Sequence, residues 1–325
     1  RYTLIKQLPY DRPNTSMVDF PLCPACQQEY QNPLDRRFHA EPIACPECGP
    51  QLHYVESDQI IEGNEPALTQ TLAALNAGKI LAVKGIGGYH LMCDAGNEQA
   101  VQQLRDRKPR PDKPLAVMFP PQGEDGLAAI HEIARLSETE TNLLRDPARP
   151  IVLVDKKQNT VLANAIAPQL NQVGVFLPYS PLHHVLLSDF GKPLVATSAN
   201  ISGEPVLTDN TEVAQRLSQV AEAYLHHNRP IVRPADDSVY RLIADTPRPM
   251  RLGRGYAPVE RTLPLQLDKV VLATGGQMKN TIALAWENRL VISPHIGDLD
   301  SPRSLSVFEQ VITDLQQLYE VQADV

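Results

Sequence analysis

The sequence predicts an α/β protein, a sheet covered by helices with a small metal-binding module in front. Three observations predict it. Short apolar runs alternate with helical stretches from residue 64 to 260, the texture of strands and crossover helices in one sheet. Four of the five cysteines fall in two C-x-x-C knuckles within residues 23–48. Hydrophobic residues at 42% and charged residues at 21% give enough apolar chain for a core and argue against wholesale disorder.

At roughly 100–200 residues per domain, 325 residues suggest two or three domains. No run of 18 apolar residues is present, which argues against a membrane span. The chain starts at Arg1 rather than Met and no apolar signal region follows. This predicts a cytoplasmic protein, cut from something longer. A net charge of -8 argues against a general nucleic-acid binder, although a local basic groove can sit on an acidic protein. Proline, 29 of 325 residues, is about 9% against a usual level of about 5%. The prolines are spread along the chain and read as rigid turns closing many short elements.

The first element is the pattern Cys23-Pro-Ala-Cys26, eighteen residues, then Cys45-Pro-Glu-Cys48-Gly-Pro. Each knuckle sets two thiolates on one face of a tight turn, and the loop between brings the pairs together, so Cys23, Cys26, Cys45 and Cys48 read as a tetrahedral zinc site. Disulfides or redox motifs are the alternatives; neither a secretory signal nor a surrounding βαβ pattern favours them. Four sulfurs leave no open position, so the ion is expected to be structural. His39 and His53 lie near enough to replace a ligand but read as surface histidines, and Cys93 reads as a buried thiol. The opening Arg1-Tyr-Thr-Leu-Ile5 faintly echoes Gln51-Leu-His-Tyr-Val55, as the tail of a preceding finger would.

Next come the elements of the sheet. Residues 66–77 read as a helix, with proline in the first turn, Leu68, Leu72 and Leu75 on one face and Gly78 as a stop. Apolar runs at 80–83, 115–119, 151–154, 174–177 and 194–196 read as strands, and 98–107, 127–135 and 182–188 as helices. Gly85-Ile-Gly87-Gly88 lacks dinucleotide-binding spacing and a following helix.

Three constellations carry chemistry. Arg105, Arg107, Lys108, Arg110 and Lys113 fall within nine positions, interrupted by Pro109 and Pro111. A rigid cationic loop suits a polyanion such as a triphosphate; a solvated charge run remains open on local grounds. Ser198-Ala-Asn200-Ile-Ser202-Gly203 follows an apolar run. Small polar side chains at the carboxyl end of a strand can bind phosphate, but taken alone they read as a capping loop. Finally, Arg229, Arg233, Asp236, Asp237, Arg251 and Arg254 could hold an anion or a magnesium ion, with plain ion pairs as the alternative.

Together these residues resemble the YrdC-type nucleotide-binding family, whose pattern is Lys-x-Arg-Pro, a basic or amide residue before Pro-Leu, then Ser-x-Asn-x-x-Gly. Lys108, Arg110, Lys113, Ser198, Asn200 and Gly203 stand at those positions. The resemblance implies a twisted mixed sheet over 64–260 that forms an acyl-adenylate from ATP. Leu8-Pro-Tyr-Asp-Arg-Pro13, Lys84-Gly-Ile-Gly-Gly-Tyr-His90 and Asp236-Asp-Ser-Val239, with the four-cysteine module, resemble the carbamoyltransferase family that matures nickel–iron hydrogenases. That implies a zinc-finger module over 1–58. It also implies a truncated opening of an actin/sugar-kinase-like domain over 265–325, where Pro294 departs from the family's usual Ser-Gln-His.

What the resemblance implies is carbamoyl-adenylate formation from ATP and carbamate, itself derived from carbamoyl phosphate. The carbamoyl group would then pass to the C-terminal cysteine of a maturation partner of the HypE type. Lys108, Arg110 and Lys113 would neutralise the phosphates and Lys84 would hold the carbamate. Ser198, Asn200, Ser202 and Gly203 would hold the triphosphate and Arg254 would close over the adenylate. Magnesium would accompany ATP, with Asp237 as its candidate ligand. Lys84-Gly-Ile-Gly-Gly88 replaces the Pro-Thr-x-Thr-like segment of the transfer-RNA branch, and exchanging threonine-holding side chains for a cation suits the smaller anion. The rivals are a threonylcarbamoyl-adenylate synthase of transfer-RNA modification and a non-catalytic, zinc-stabilised module binding RNA or protein.

Overall fold

The computed structural model describes residues 2–108, 113–158, 160–201 and 203–324. Residues up to 50 carry little regular structure. Their one α-helix, α1 (Pro24–Gln31), starts directly after Cys23 with proline in its first turn. Arg12 ties this module together: its guanidinium donates to the carbonyls of Phe20 (2.6 Å), Glu41 (2.7 Å) and Ile43 (2.8 Å).

The chain then enters the sheet through β1 (Leu52–Glu56) and β2 (Gln59–Glu62). Helix α2 (Asn64–Asn76) follows and ends ahead of Gly78 at φ +78°, matching the expected stop. Strands β3 (Leu81–Lys84) and β4 (Tyr89–Asp94) form a hairpin, and α3 (Glu98–Arg107) leads to β5 (Val117–Met118). Helices α4 (Ala128–Ile133) and α5 (Glu138–Arg145) precede β6 (Ile151–Asp155) and β7 (Gln172–Phe176). Helix α5 opens on a capping box between Ser137 and Glu140. Then come α6 (Pro181–Phe190), β8 (Leu194–Ser198), α7 (Asn210–Arg216), β9 (Ala223–His227), β10 (Val239–Ile243) and β11 (Thr246–Arg251).

These eleven strands make one sheet in the order β11-β10-β6-β7-β5-β8-β4-β3-β9-β1-β2. The pairs β3–β9, β5–β7 and β6–β10 run parallel and the others antiparallel, the mixed sheet expected from the sequence. Helices cover both faces, so the inner strands are apolar on both sides and appear in the sequence as continuous runs. Ile80, Ala82, Leu91 and Val195 pack with Val101, Leu104, Ile130 and Leu144 on one face. Leu81, Val83, Met92 and Ala196 pack with Leu75, Leu186 and Leu187 on the other. Cys93 is fully buried among the first set, as its apolar setting predicts.

After the sheet, β12 (Val259–Ala273) and β13 (Ala283–Ile292) form a long hairpin, and α8 (Pro302–Tyr319) lies against it. Tyr2, Ile5 and Ala235 share the core of this unit with Leu284, Trp286 and Leu315. Arg233 locks the joint. Buried to 3% exposure, it pairs with Asp314 of α8 at 3.0 Å and donates to the carbonyls of Ile5 and Lys6. The anion-binding option for Arg233 is thereby excluded, because its charge is spent inside the protein.

Candidate active site

At the carboxyl end of β8, loops from four parts of the chain enclose a cavity of about 420 Å³. One wall carries Lys113, Ser198, Asn200 and Gly203 beside Asp236, Asp237 and Arg251. This is the position at which open α/β sheets bind ligands.

Hydrogen bonds fix the wall. Lys108 caps the end of α3 with its backbone N–H on the Leu104 carbonyl (2.9 Å). Its ammonium reaches across to the Ser198 carbonyl and to Asn200 Oδ1 at 2.9 Å. Asn200 in turn donates to the Glu204 carbonyl, which closes its loop. Ser198 Oγ donates to Asp236 Oδ1 (2.6 Å), and the other oxygen of Asp236 pairs with Arg251 at 2.6 Å. Lys108 therefore stands behind Ser198 and Asn200, while Lys113 faces the cavity itself.

A second, deeper network centres on Asp237. Its Oδ1 pairs with Arg254 Nε (2.8 Å) and its Oδ2 with His90 Nε2 (2.9 Å). Burial alone would raise its pKa, but the positive charge of Arg254 and the His90 contact outweigh that and hold it well below the usual carboxylate range. Arg254 lies 3.3 Å over the Tyr179 ring and donates to the carbonyls of Ala148 (2.7 Å) and Arg149 (2.9 Å). The sequence suggests that Arg254 closes over a bound nucleotide; instead its guanidinium is committed to Asp237, Tyr179 and two carbonyls. Asp237 likewise has both oxygens engaged, so it offers no free pair of oxygens to a magnesium ion.

Glycines allow these segments to meet. A Cβ on Gly253 would stand 2.1 Å from the Asp236 carbonyl oxygen, and one on Gly87 would stand 2.4 Å from that of Ala235. The Gly85–Gly88 stretch is thus a close-packing turn between β3 and β4, with the Gly85 N–H on the Gly88 carbonyl (2.8 Å). Lys84 precedes it but does not line the cavity. Alternation along β3 sends its side chain to the face opposite His90 and Ser198. There it donates to Asn210 Oδ1 (2.6 Å) and the His227 carbonyl (3.1 Å), and burial lowers its pKa to about 8. Arg110 and Ser202 lie outside the described residues.

In the amino-terminal module, Cys23, Cys26, Cys45 and Cys48 converge with all four sulfurs within 4.8 Å of one another, the only such cluster among the described residues. None forms a disulfide. Cys45 Sγ lies 3.7 Å from both Cys23 Sγ and Cys48 Sγ. Four sulfurs about 2.3 Å from a tetrahedral ion stand about 3.8 Å apart, so the set fits such an ion. His39 packs between Tyr30 and Phe38, and His53 sits on β1 against His226; neither joins the cluster.

Sequence reasoning missed His90, Tyr179, Lys279 and His295 as site components. Only the glycine-containing motif that ends at His90 gave any signal, and it did not say which cavity the residue joins.

Comparison with known proteins follows this geometry. The Sua5_yciO_yrdC family, described as Telomere recombination, matches residues 73–253, more than half of the chain. The chain belongs to the Sua5–YciO–YrdC family. Two further families flank that match, the HypF finger over residues 22–55 and the HypF Kae1-like domain over 266–325. Carbamoyltransferase HypF of Rhodobacter capsulatus is 44% identical over 322 residues, 98% of this chain and 42% of that protein. A crystal structure of full-length HypF in the phosphate- and nucleotide-bound form is 40% identical and superposes with a TM-score of 0.93, over 100% of this chain and 42% of that one. The chain thus spans less than half the length of these relatives. Threonylcarbamoyl-AMP synthase of Vibrio parahaemolyticus is 30% identical over 156 residues, 48% of this chain and 84% of that protein. Within this Sua5–YciO–YrdC chain, no helix among the described residues is long and apolar enough to cross a membrane.

Proposed function

We propose that this chain condenses carbamate with ATP to give carbamoyl-adenylate and pyrophosphate, within a HypF-type carbamoyltransferase. The observation that carries the reading is the cavity at the end of β8, where Lys113, Ser198, Asn200 and Gly203 share one wall. A carbamate oxygen attacks the α-phosphorus, an O–P bond forms, and the bond to the β-phosphate oxygen breaks to release pyrophosphate. Carbamate is a weak nucleophile, so alignment and exclusion of water dominate the catalysis. Lys113, with Arg110 three positions before it in sequence, neutralises the leaving pyrophosphate. Asn200 and Ser202 hydrogen-bond the triphosphate where the glycine at 203 leaves room. Lys108 is a positioning residue that holds Ser198 and Asn200, as Arg254 is for Asp237. Magnesium enters with the ATP phosphates. Lys84 is assigned to packing under the β3–β4 turn, and carbamate is left to the cavity cations.

The full-length relative that was crystallised bound phosphate and nucleotide, which supports ATP as the cofactor here. The onward acceptor proposed is the C-terminal cysteine of a HypE-type partner, with carbamoyl phosphate as the ultimate carbamate source and the cytoplasm as the compartment. The experiment is ATP–pyrophosphate exchange: label should enter ATP only when carbamate is present, and carbamate-independent or absent exchange would refute the reading. A threonylcarbamoyl-adenylate activity is the second reading, carried by the similarity to the Vibrio synthase.

The four cysteines are proposed to hold structural zinc. The purified chain should contain one equivalent, and Cys45→Ser should lose it. The 2–50 module should then become protease-sensitive, since its small cores of Leu4, Met17 and Phe20 and of Cys26 and Ile43 cannot hold it alone. Mass spectrometry for metal and limited proteolysis check this. Full zinc content in the Cys45→Ser chain would contradict it.

A further inference from the structure

The cavity is not built by the sheet and its loops alone. Lys279, Pro294, His295, Gly297 and Asp298, all from the segment around the β12–β13 hairpin, form its opposite wall. We propose that Lys279 and His295 complete the adenylation site from outside the α/β domain, Lys279 as a cation for the terminal phosphates of the nucleotide and His295 as a hydrogen-bond donor beside them. This assignment rests on the adenylation reading above.

The backbone holds both residues in place. Lys279 sits at φ +50°, in the left-handed region that a residue with a side chain seldom adopts. Its N–H donates to Asp298 Oδ1 at 2.7 Å. The next residue, Asn280, is 1% exposed; its amide donates to the carbonyls of Thr274 (2.9 Å) and Gly276 (2.6 Å), and its N–H to that of Gly297 (2.7 Å). The turn is thus over-determined, and it places Lys279 in the cavity lining. His295 donates its N–H to the Leu252 carbonyl at 2.8 Å, next to Arg251. That bond pins the second wall directly to the first.

Charge matching singles out Lys279. Asp236 is answered by Arg251 and Asp237 by Arg254, whereas the Lys279 ammonium has no ion pair among the described residues. It brings a cation held by no ion pair to a chamber of triphosphate size, on the wall where Asp298 accepts from the Lys279 backbone N–H. Burial and the adjacent Arg251 lower the pKa of His295, and its imidazole can offer a ring N–H to a phosphate oxygen. It adds a hydrogen-bond donor beside the Lys279 ammonium. Adenylation then depends on the docking of 266–325 against the sheet, a joint held by the Arg233–Asp314 pair and by Arg303 on Glu212.

The test compares ATP with AMP on the complete 325-residue chain. For Lys279→Ala, ATP binding should weaken about tenfold while AMP, which lacks the terminal phosphates, binds as in the parent. Lys279→Arg should restore ATP affinity. His295→Ala should also lower the ATP-to-AMP affinity ratio. An unchanged ratio in Lys279→Ala would overturn the proposal. If the parent binds ATP but catalyses no carbamate-dependent exchange, the adenylation reading fails, while the affinity ratio still judges the placement of Lys279. A parent that binds no ATP would overturn both.

Discussion

Replacing Asp237 by alanine is expected to cost about 3–5 kcal/mol of folding stability, read by urea unfolding. The carboxylate is 4% exposed and lies between Arg254 and His90. Its removal leaves the Arg254 guanidinium buried without its counter-ion, and an uncompensated buried charge costs more than the lost pair contributed. Arg254 also holds the 148–149 turn and stacks on Tyr179, so the loss spreads through the floor of the site. Asp237→Asn keeps the shape and one acceptor, and is expected to lose less than the alanine variant. The pH dependence has a definite sign. The folded pKa is depressed, so the contribution of Asp237 is fully present above about pH 4 and is lost as pH falls toward the folded value. The alanine variant should therefore lose less stability than the parent on acidification from pH 5 to pH 3. Equal acid sensitivity in the two would remove Asp237 from its assigned place.

The largest effect on activity is expected at Lys113. Lys113→Ala should lower carbamate-dependent ATP–pyrophosphate exchange by about 100-fold or more, because a cation aimed at the developing charge of a leaving group is worth that much in a water-poor site. Lys113 is exposed at the cavity wall, so zinc content and unfolding midpoint should stay at parental values. Lys108→Ala should lose exchange to a similar degree for a different reason. The side chain of Lys108, a residue 7% exposed, holds the Ser198 carbonyl and Asn200, and its removal leaves two half-buried acceptors short of a donor. That should add a stability loss of about 1–3 kcal/mol. Exchange at the parental rate in both variants would remove Lys108 and Lys113, and the wall they build, from the reaction.

The two variants differ in a way the sequence did not reveal. Lys108 and Lys113 stand in one basic run, and local chemistry treats them alike. The structure parts them because α3 ends at Arg107, so Lys108 points back under the β8 loop while Lys113 comes out beside the cavity. What the sequence revealed best was the local material. The buried strands around Leu81, Ile151 and Leu194 read as apolar runs, α2 was bracketed by its proline and glycine, and the cysteine spacing anticipated the observed cluster. What stayed hidden were the partners. His90 and Asp237 are 147 positions apart, and Arg233 and Asp314 are 81 apart. Periodicity reports that a residue is buried, but not which residue faces it. Lys84 shows the same limit: a cation before a glycine turn suited an anion, yet strand alternation set it on the far face. The second wall was hidden because residues 274–299 belong to a different unit in sequence and meet the sheet only after folding.

The most direct test of the account is the substrate dependence of pyrophosphate release. The chain is incubated with magnesium and ATP, once with carbamate equilibrated from ammonium bicarbonate and once with threonine and bicarbonate without ammonium. The account predicts pyrophosphate release with carbamate alone and no stimulation by threonine. Release that requires threonine would place the chain with the threonylcarbamoyl-adenylate synthases and contradict the assignment.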